Sequence, residues 1–150
     1  MTSHSETRIV PHTADLMFQV VADVEQYPKF LPWVSALHIV SREQAKGCEV
    51  LTARMTVGFR TFRESYTSRV TLDRAGRIID VVQTEGPFRV LENHWRFTPE
   101  GEGCKVDFAI EFVLRNPILN AVAGAAFGRV LLRTEDAFID RARKLSKKTA

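Results

Sequence analysis

The chain has 150 residues, 45% of them apolar and 26% charged. That is close to an average soluble domain and enough for one core without disulfide staples. Its formal net charge of +3 is too small to imply nucleic acid, so no DNA partner is expected. No apolar run reaches the length of a transmembrane helix.

Met1 to Thr7 is polar and resembles neither a signal peptide nor a transit peptide, so a cytoplasmic protein, peripheral to the inner membrane at most, or an already processed form is expected. Cys48 and Cys104 lie far apart without ligand-type spacing, which suits free thiols in a reducing compartment. A single domain over residues 1–150 is expected, since no repeat, linker or low-complexity tract occurs.

In chain order, Ser5–Val10 reads as a first strand ending at Pro11. Thr13 is a good N-cap, and Leu16, Met17, Val20, Val21 and Val24 recur at helical spacing, predicting a helix over 14–23. Tyr27-Pro28-Lys29-Phe30-Leu31-Pro32-Trp33 is expected to be an aromatic-rich turn rather than a regular helix, because both prolines restrict the residue before them.

From residue 34 to 115 the apolar period is two. Leu51, Ala53, Met55, Val57 and Phe59 share one parity, as do Phe62, Tyr66, Val70 and Leu72, then Leu91, Trp95 and Phe97. The clearest alternation is Val106, Phe108, Ile110, Phe112 and Leu114. Consecutive strands with short glycine-containing turns predict a meandering antiparallel sheet. Asn116-Pro117 then opens a helix. Leu119, Val122, Ala123, Ala126, Phe127, Val130, Leu131, Thr134, Ala137, Phe138, Ala142 and Leu145 keep its apolar stripe. An uninterrupted helix of about 28 residues, roughly 42 Å, is predicted. The fold class is therefore α+β, a helix-grip arrangement in which a curved antiparallel sheet wraps a long C-terminal helix.

A bent sheet cannot press flat on a straight helix. The small residues Ala121, Ala123, Gly124, Ala125, Ala126 and Gly128 either permit close packing or leave room for a guest, so a cavity and a solid core stay open as alternatives. No HExxH, CxxC, GxSxG or phosphate loop occurs. Glu92 and His94 share a strand face and are a candidate acid–base pair, with a solvent-facing position the better reading. Glu64 shares parity with Phe62 and Tyr66, and if inward it needs a partner such as Arg54 or Arg96. The basic stretch Arg141–Lys148 suits anionic lipid or RNA, or simply a solvated helix end.

Several segments resemble the coenzyme Q-binding protein family, a START-like branch of the polyketide cyclase/dehydrase superfamily that also includes the ribosome association toxins. They are Tyr27–Trp33, Phe62-Arg63-Glu64-Ser65-Tyr66-Thr67-Ser68-Arg69-Val70, Gly86-Pro87-Phe88-Arg89-Val90-Leu91, Trp95-Arg96-Phe97, Phe108–Phe112 and Arg115-Asn116-Pro117-Ile118-Leu119. The family's early Pro-Lys pair matches Pro28 and Lys29. Val34 stands where many members carry a small residue such as cysteine.

The resemblance implies non-catalytic binding of a polyprenylated quinone such as ubiquinone. Delivery or positioning for respiratory electron transport follows, with neither a metal nor a cofactor beyond that ligand. The residues expected to meet it are Pro28, Lys29, Phe30, Leu31, Trp33, Phe62, Tyr66, Leu91, Trp95, Phe97, Phe108, Ile110, Phe112, Phe127 and Leu131. The expected partners are a polyprenyl quinone or similar lipid and, transiently, an anionic membrane surface. The ribosome is the alternative partner, through inhibition of subunit joining. A polyketide cyclase would require an inward acid–base set, for which Glu64 and Tyr66 are the candidates.

Overall fold

The computed structural model describes residues 2–59, 62–121, 129–130 and 133–149. Nine residues, Thr2–Val10, form β1. Helix α1 spans Ala14–Ala22, and the Leu16 N–H donates to Thr13 Oγ1 at 3.1 Å. A 3-10 turn at Val24–Gln26 leads into the single helical turn α2 at Tyr27–Phe30. This corrects the expectation of a non-helical turn. Pro28 sits in the first turn of α2, where its missing N–H has no helical partner to lose.

Six long strands follow: β2 (Val34–Ala45), β3 (Cys48–Phe59), β4 (Phe62–Asp73), β5 (Ile78–Glu85), β6 (Phe88–Glu100) and β7 (Gly103–Leu114). The seven strands make one sheet in the order β1-β7-β6-β5-β4-β3-β2. All pairs are antiparallel, and β1 closes the edge beside β7. The alternation read along β7 is the alternation seen, with Cys104, Val106, Phe108, Ile110, Phe112 and Leu114 all buried.

Irregular pairing bends this sheet. The register shifts twice along β2–β3, between Val34 and Ala36 and between Ile39 and Ser41. It shifts once between Thr67 and Ser68, and once between Phe88 and Val90. A bulge adds a residue, turns the strand and flips the following side chains to the other face. Phe88 and Leu91 are consequently both buried despite opposite parity.

Asn116 starts the C-terminal helical region as expected. Its Oδ1 accepts from the N–H groups of Ile118 and Leu119 at 2.9 and 3.2 Å. Among the described residues, 117–121 (α3) and 129–130 are helical. The single uninterrupted helix is corrected: Arg133 lies in a turn, and α4 runs from Thr134 to Thr149. The Arg133 N–H donates to Val130 C=O at 3.1 Å, and α4 opens with Glu135 and Asp136. Acidic residues favour a helix N-terminus, so the chemistry of a helix start stands inside the expected apolar stripe. Apart from exposed Ala121, the small-residue run at 121–128 lies outside the described residues. Among the described residues no helix is long and apolar enough to cross a membrane.

Candidate functional site

The inner face of the sheet is built in rows. Leu72, Ile79, Trp95 and Phe108 pair across β4 to β7 and are all buried. Trp95 stacks on Phe97 with centroids 5.9 Å apart and lies 4.4 Å from Phe108. Phe138 of α4 meets the Trp95 ring at 5.3 Å and the Tyr27 and Phe30 rings at 5.1 and 5.4 Å. Edge-to-face contacts at these separations suit the ring quadrupoles. This cluster docks α4 and α2 onto the sheet.

One row further along, Val70, Val81, Asn93 and Ile110 pair across the same four strands. Here sheet and helix diverge, and a cavity of about 100 Å³ opens. Its floor is Trp95 and Phe138, and Leu31, Trp33, Leu37, Ala53 and Met55 line the β2–β3 side. Beyond it a second aromatic cluster stands, with Tyr66 at 5.5 Å from Phe88 and Phe88 at 6.4 Å from Phe112.

Of the residues expected from sequence, Leu31, Trp33, Tyr66, Leu91, Trp95 and Ile110 line this cavity. Phe97, Phe108 and Phe112 are buried in the aromatic clusters that flank it. Pro28, Lys29 and Phe30 lie along an outer groove with Arg141 and Lys144 of α4. The Arg141 guanidinium sits 5.2 Å over the Phe30 ring. The Phe62 side chain, Phe127 and Leu131 lie outside the described residues.

Among the lining residues that sequence reasoning missed, three carry buried polar atoms. Ser68 Oγ, Asn93 Oδ1 and Thr134 Oγ1 are buried polar atoms without a hydrogen-bond partner among the described residues, and all three residues line the cavity. Parity offered the signal: Ser68 falls in step with Tyr66 and Val70, and Asn93 with Leu91 and Trp95. A polar residue at an inward strand position needs a partner. Tyr27 and Tyr66 also line the space, and burial pushes both phenols above their ordinary pKa, so both stay protonated. The Tyr27 hydroxyl donates to the Val21 carbonyl.

The acid–base candidates are elsewhere. His94 Nδ1 lies 2.6 Å from Asp80 Oδ1 across β5 and β6, on the exposed side of the sheet. Glu64 pairs in register with Val57 and is not among the cavity-lining residues. Arg54 donates to Thr67 at 3.2 Å, and Arg96 is exposed. Among the described lining residues the only ionisable groups are the two tyrosines.

Gly86 fixes the turn between β5 and β6 beside the cavity. It has φ +154, and a Cβ there would stand 2.5 Å from Tyr66 Cβ. Gln83 clamps the same turn, donating to Phe88 C=O at 2.7 Å and accepting from Phe88 N–H at 3.1 Å. Gly86→Ala is expected to cost about 2 kcal/mol through overpacking. Urea denaturation would show it; a loss under about 0.5 kcal/mol would mean that Tyr66 yields freely.

A curved seven-stranded sheet around an apolar cavity, closed by a C-terminal helix, matches the family model described as polyketide cyclase / dehydrase and lipid transport over residues 10–139. The chain belongs to this family. The chain is 31% identical to the ribosome association toxin RatA of Rickettsia prowazekii, over 98% of its own length and 100% of the relative's. It is also 31% identical to the mitochondrial coenzyme Q-binding protein COQ10 of Drosophila melanogaster, over 95% of its length and 59% of that protein's. Among solved structures, the 18 kDa protein CC1736 of Caulobacter crescentus is 36% identical, with a TM-score of 0.79 over 98% of this chain and 99% of that one. Within the polyketide cyclase/dehydrase and lipid transport family, the Rickettsia and Drosophila relatives are named for toxicity and for binding, not for catalysis.

Proposed function

We propose that this protein is a non-catalytic carrier of a polyprenylated quinone such as ubiquinone, holding it between the sheet and the C-terminal helix for delivery to respiratory electron transport. The observation that carries the reading is the apolar cavity with three unpartnered polar atoms in its wall. A quinone ring needs an apolar slot and a few hydrogen-bonding groups, and its tail needs only apolar wall. Each buried tail methylene contributes about 0.8 kcal/mol. A space of about 100 Å³ is smaller than the roughly 150 Å³ that takes a benzene, so the helix has to move off the sheet to admit a quinone ring. The tail then leaves past half-buried Trp33, Leu37 and Met55. The name of the Drosophila relative supports the choice of head group. So does the lack of an inward acid–base set among the described lining residues.

Lipid extraction and mass spectrometry of the purified protein test the reading, with co-purified quinone expected. Protein that carries none, and takes up none from quinone-loaded liposomes, rejects it. Ala53 is 5% exposed and lines the cavity opposite Ser68, so Ala53→Leu would fill the space from its wall. The variant is expected to stay folded and lose at least about tenfold in quinone affinity, since about 1.4 kcal/mol of lost contact suffices. Unchanged affinity would move the ligand elsewhere.

A second reading is favoured by the full-length match to the Rickettsia toxin. In it the protein associates with ribosomes and inhibits subunit joining. Overexpression followed by sucrose-gradient profiles decides it, with unchanged amounts of joined ribosomes rejecting the reading.

A further inference from the structure

The geometry points to a neutral head-group clamp: Ser68, Asn93 and Thr134 select ligands whose head is uncharged and bears oxygen, and the cavity rejects both pure hydrocarbons and anionic lipids. The inference rests on the carrier reading above and adds what the site discriminates.

Two observations carry it. The first is three polar side chains from three elements (β4, β6 and α4) in the lining of one cavity. Ser68 is 5% exposed and Thr134 is 7% exposed. Asn93 is half-buried as a residue, but its Oδ1 is shielded. None of the three atoms has a hydrogen-bond partner among the described residues. A buried polar atom left unpaired costs free energy unless something pairs with it. A hydrocarbon ligand would displace water and leave all three unpaired. A carbonyl or hydroxyl head can accept from the Ser68 and Thr134 hydroxyls, and a hydroxyl can also donate to Asn93. A site built to hydrogen-bond an oxygen discriminates strongly against the analogue that lacks it.

The second observation is charge. Among the described lining residues there is no lysine, arginine or histidine. Cationic side chains stand outside the described lining: Lys29, Arg141 and Lys144 along the outer groove, and Arg8 on β1 paired with Glu135 and Asp136. A carboxylate or phosphate entering the cavity would lose its hydration without gaining a counter-charge, which is costly in an apolar interior. The wall therefore accepts oxygen but not negative charge.

The test compares three probes with one decyl chain: a decyl-substituted benzoquinone, decylbenzene and decanoate at pH 8, each titrated calorimetrically into the intact protein. The quinone is expected to bind at least about tenfold more tightly than the other two. Ser68→Ala and Thr134→Val are each expected to weaken quinone binding about three- to tenfold while leaving decylbenzene unchanged or stronger. Asn93→Leu, which removes an acceptor that only a hydroxyl head can serve, is expected to leave the quinone unchanged and to weaken the corresponding decyl-substituted hydroquinone about three- to tenfold. Each should also leave the melting temperature of the ligand-free protein unchanged or higher, because each removes an unpaired buried polar atom. A merely structural hydrogen-bonding role would lower it. The clamp is overturned if the triple variant binds the quinone like wild type, or if decylbenzene or decanoate matches the quinone on wild type. If none of the three probes binds wild type, the carrier reading itself falls, and the clamp with it.

Discussion

Trp95→Ala should destabilise the protein by about 4 kcal/mol, the usual cost of truncating a core tryptophan. Trp95 is 3% exposed, and its ring joins β6 to β7 through Phe108 and to α4 through Phe138. It also forms the cavity floor. Truncation would therefore remove packing and merge the vacated space with the cavity. The surrounding sheet is hydrogen-bonded on both sides of β6, so it cannot collapse to fill the gap. Chemical denaturation measures the loss, and a value under about 1.5 kcal/mol would show that α4 does not depend on this ring. A ligand that fills the enlarged space should restore stability in proportion to its affinity.

Glu135→Gln should do the opposite at alkaline pH. Glu135 is 1% exposed, and both carboxylate oxygens lack a hydrogen-bond partner among the described residues. Burial is the main cause that pushes its pKa from the ordinary 4.5 up to about 7, with Glu6 of β1 and the adjacent Asp136 adding to the rise. Arg8 opposes it, with Nε 3.7 Å from Oε2, but the same guanidinium also pairs with Asp136. The remaining charged neighbour on β1 is Glu6, itself 3.3 Å from His4 Nε2.

The folded chain thus holds this proton to higher pH than the unfolded chain. The associated stability is complete below pH 4.5, declines as pH rises, and is lost above about 7. A shift of that size corresponds to about 3 kcal/mol at pH 8. The substituted amide carries no titrating proton, so the variant should gain up to about 3 kcal/mol over wild type at pH 8 and little at pH 4.5. Stability curves for both proteins from pH 4 to 9 measure the difference. A difference that does not change with pH would place the charged form of Glu135 in no worse surroundings than water.

The strand alternation legible in residues 34–115 sufficed for the sheet, because an inward and an outward face impose a period of two on any half-buried strand. The caps at Thr13 and Asn116 were legible for a similar reason, since an orphan N–H calls for a side-chain oxygen at a fixed offset. Other features had no such local signature. The bulges at Val34–Ala36 and Phe88–Val90 depend on how two strands pair, and one strand's sequence does not report its partner's register. The turn at Arg133 was hidden because an apolar stripe continues on both sides of it. Lys29 and Phe30 stand in a family motif, yet face the outer groove, since the motif does not tell which side of α2 meets α4.

The grip of sheet on helix was therefore written in periodicity and caps, which act within one element. What the site presents was settled only by the tertiary structure. Ser68, Asn93 and Thr134 are unremarkable residues on β4, β6 and α4, more than 20 positions apart in sequence. They come to line one cavity because bulged strands curve until the row at Val70, Val81, Asn93 and Ile110 no longer reaches the helix. The space left there is a sum over pairings and packings that no single segment encodes.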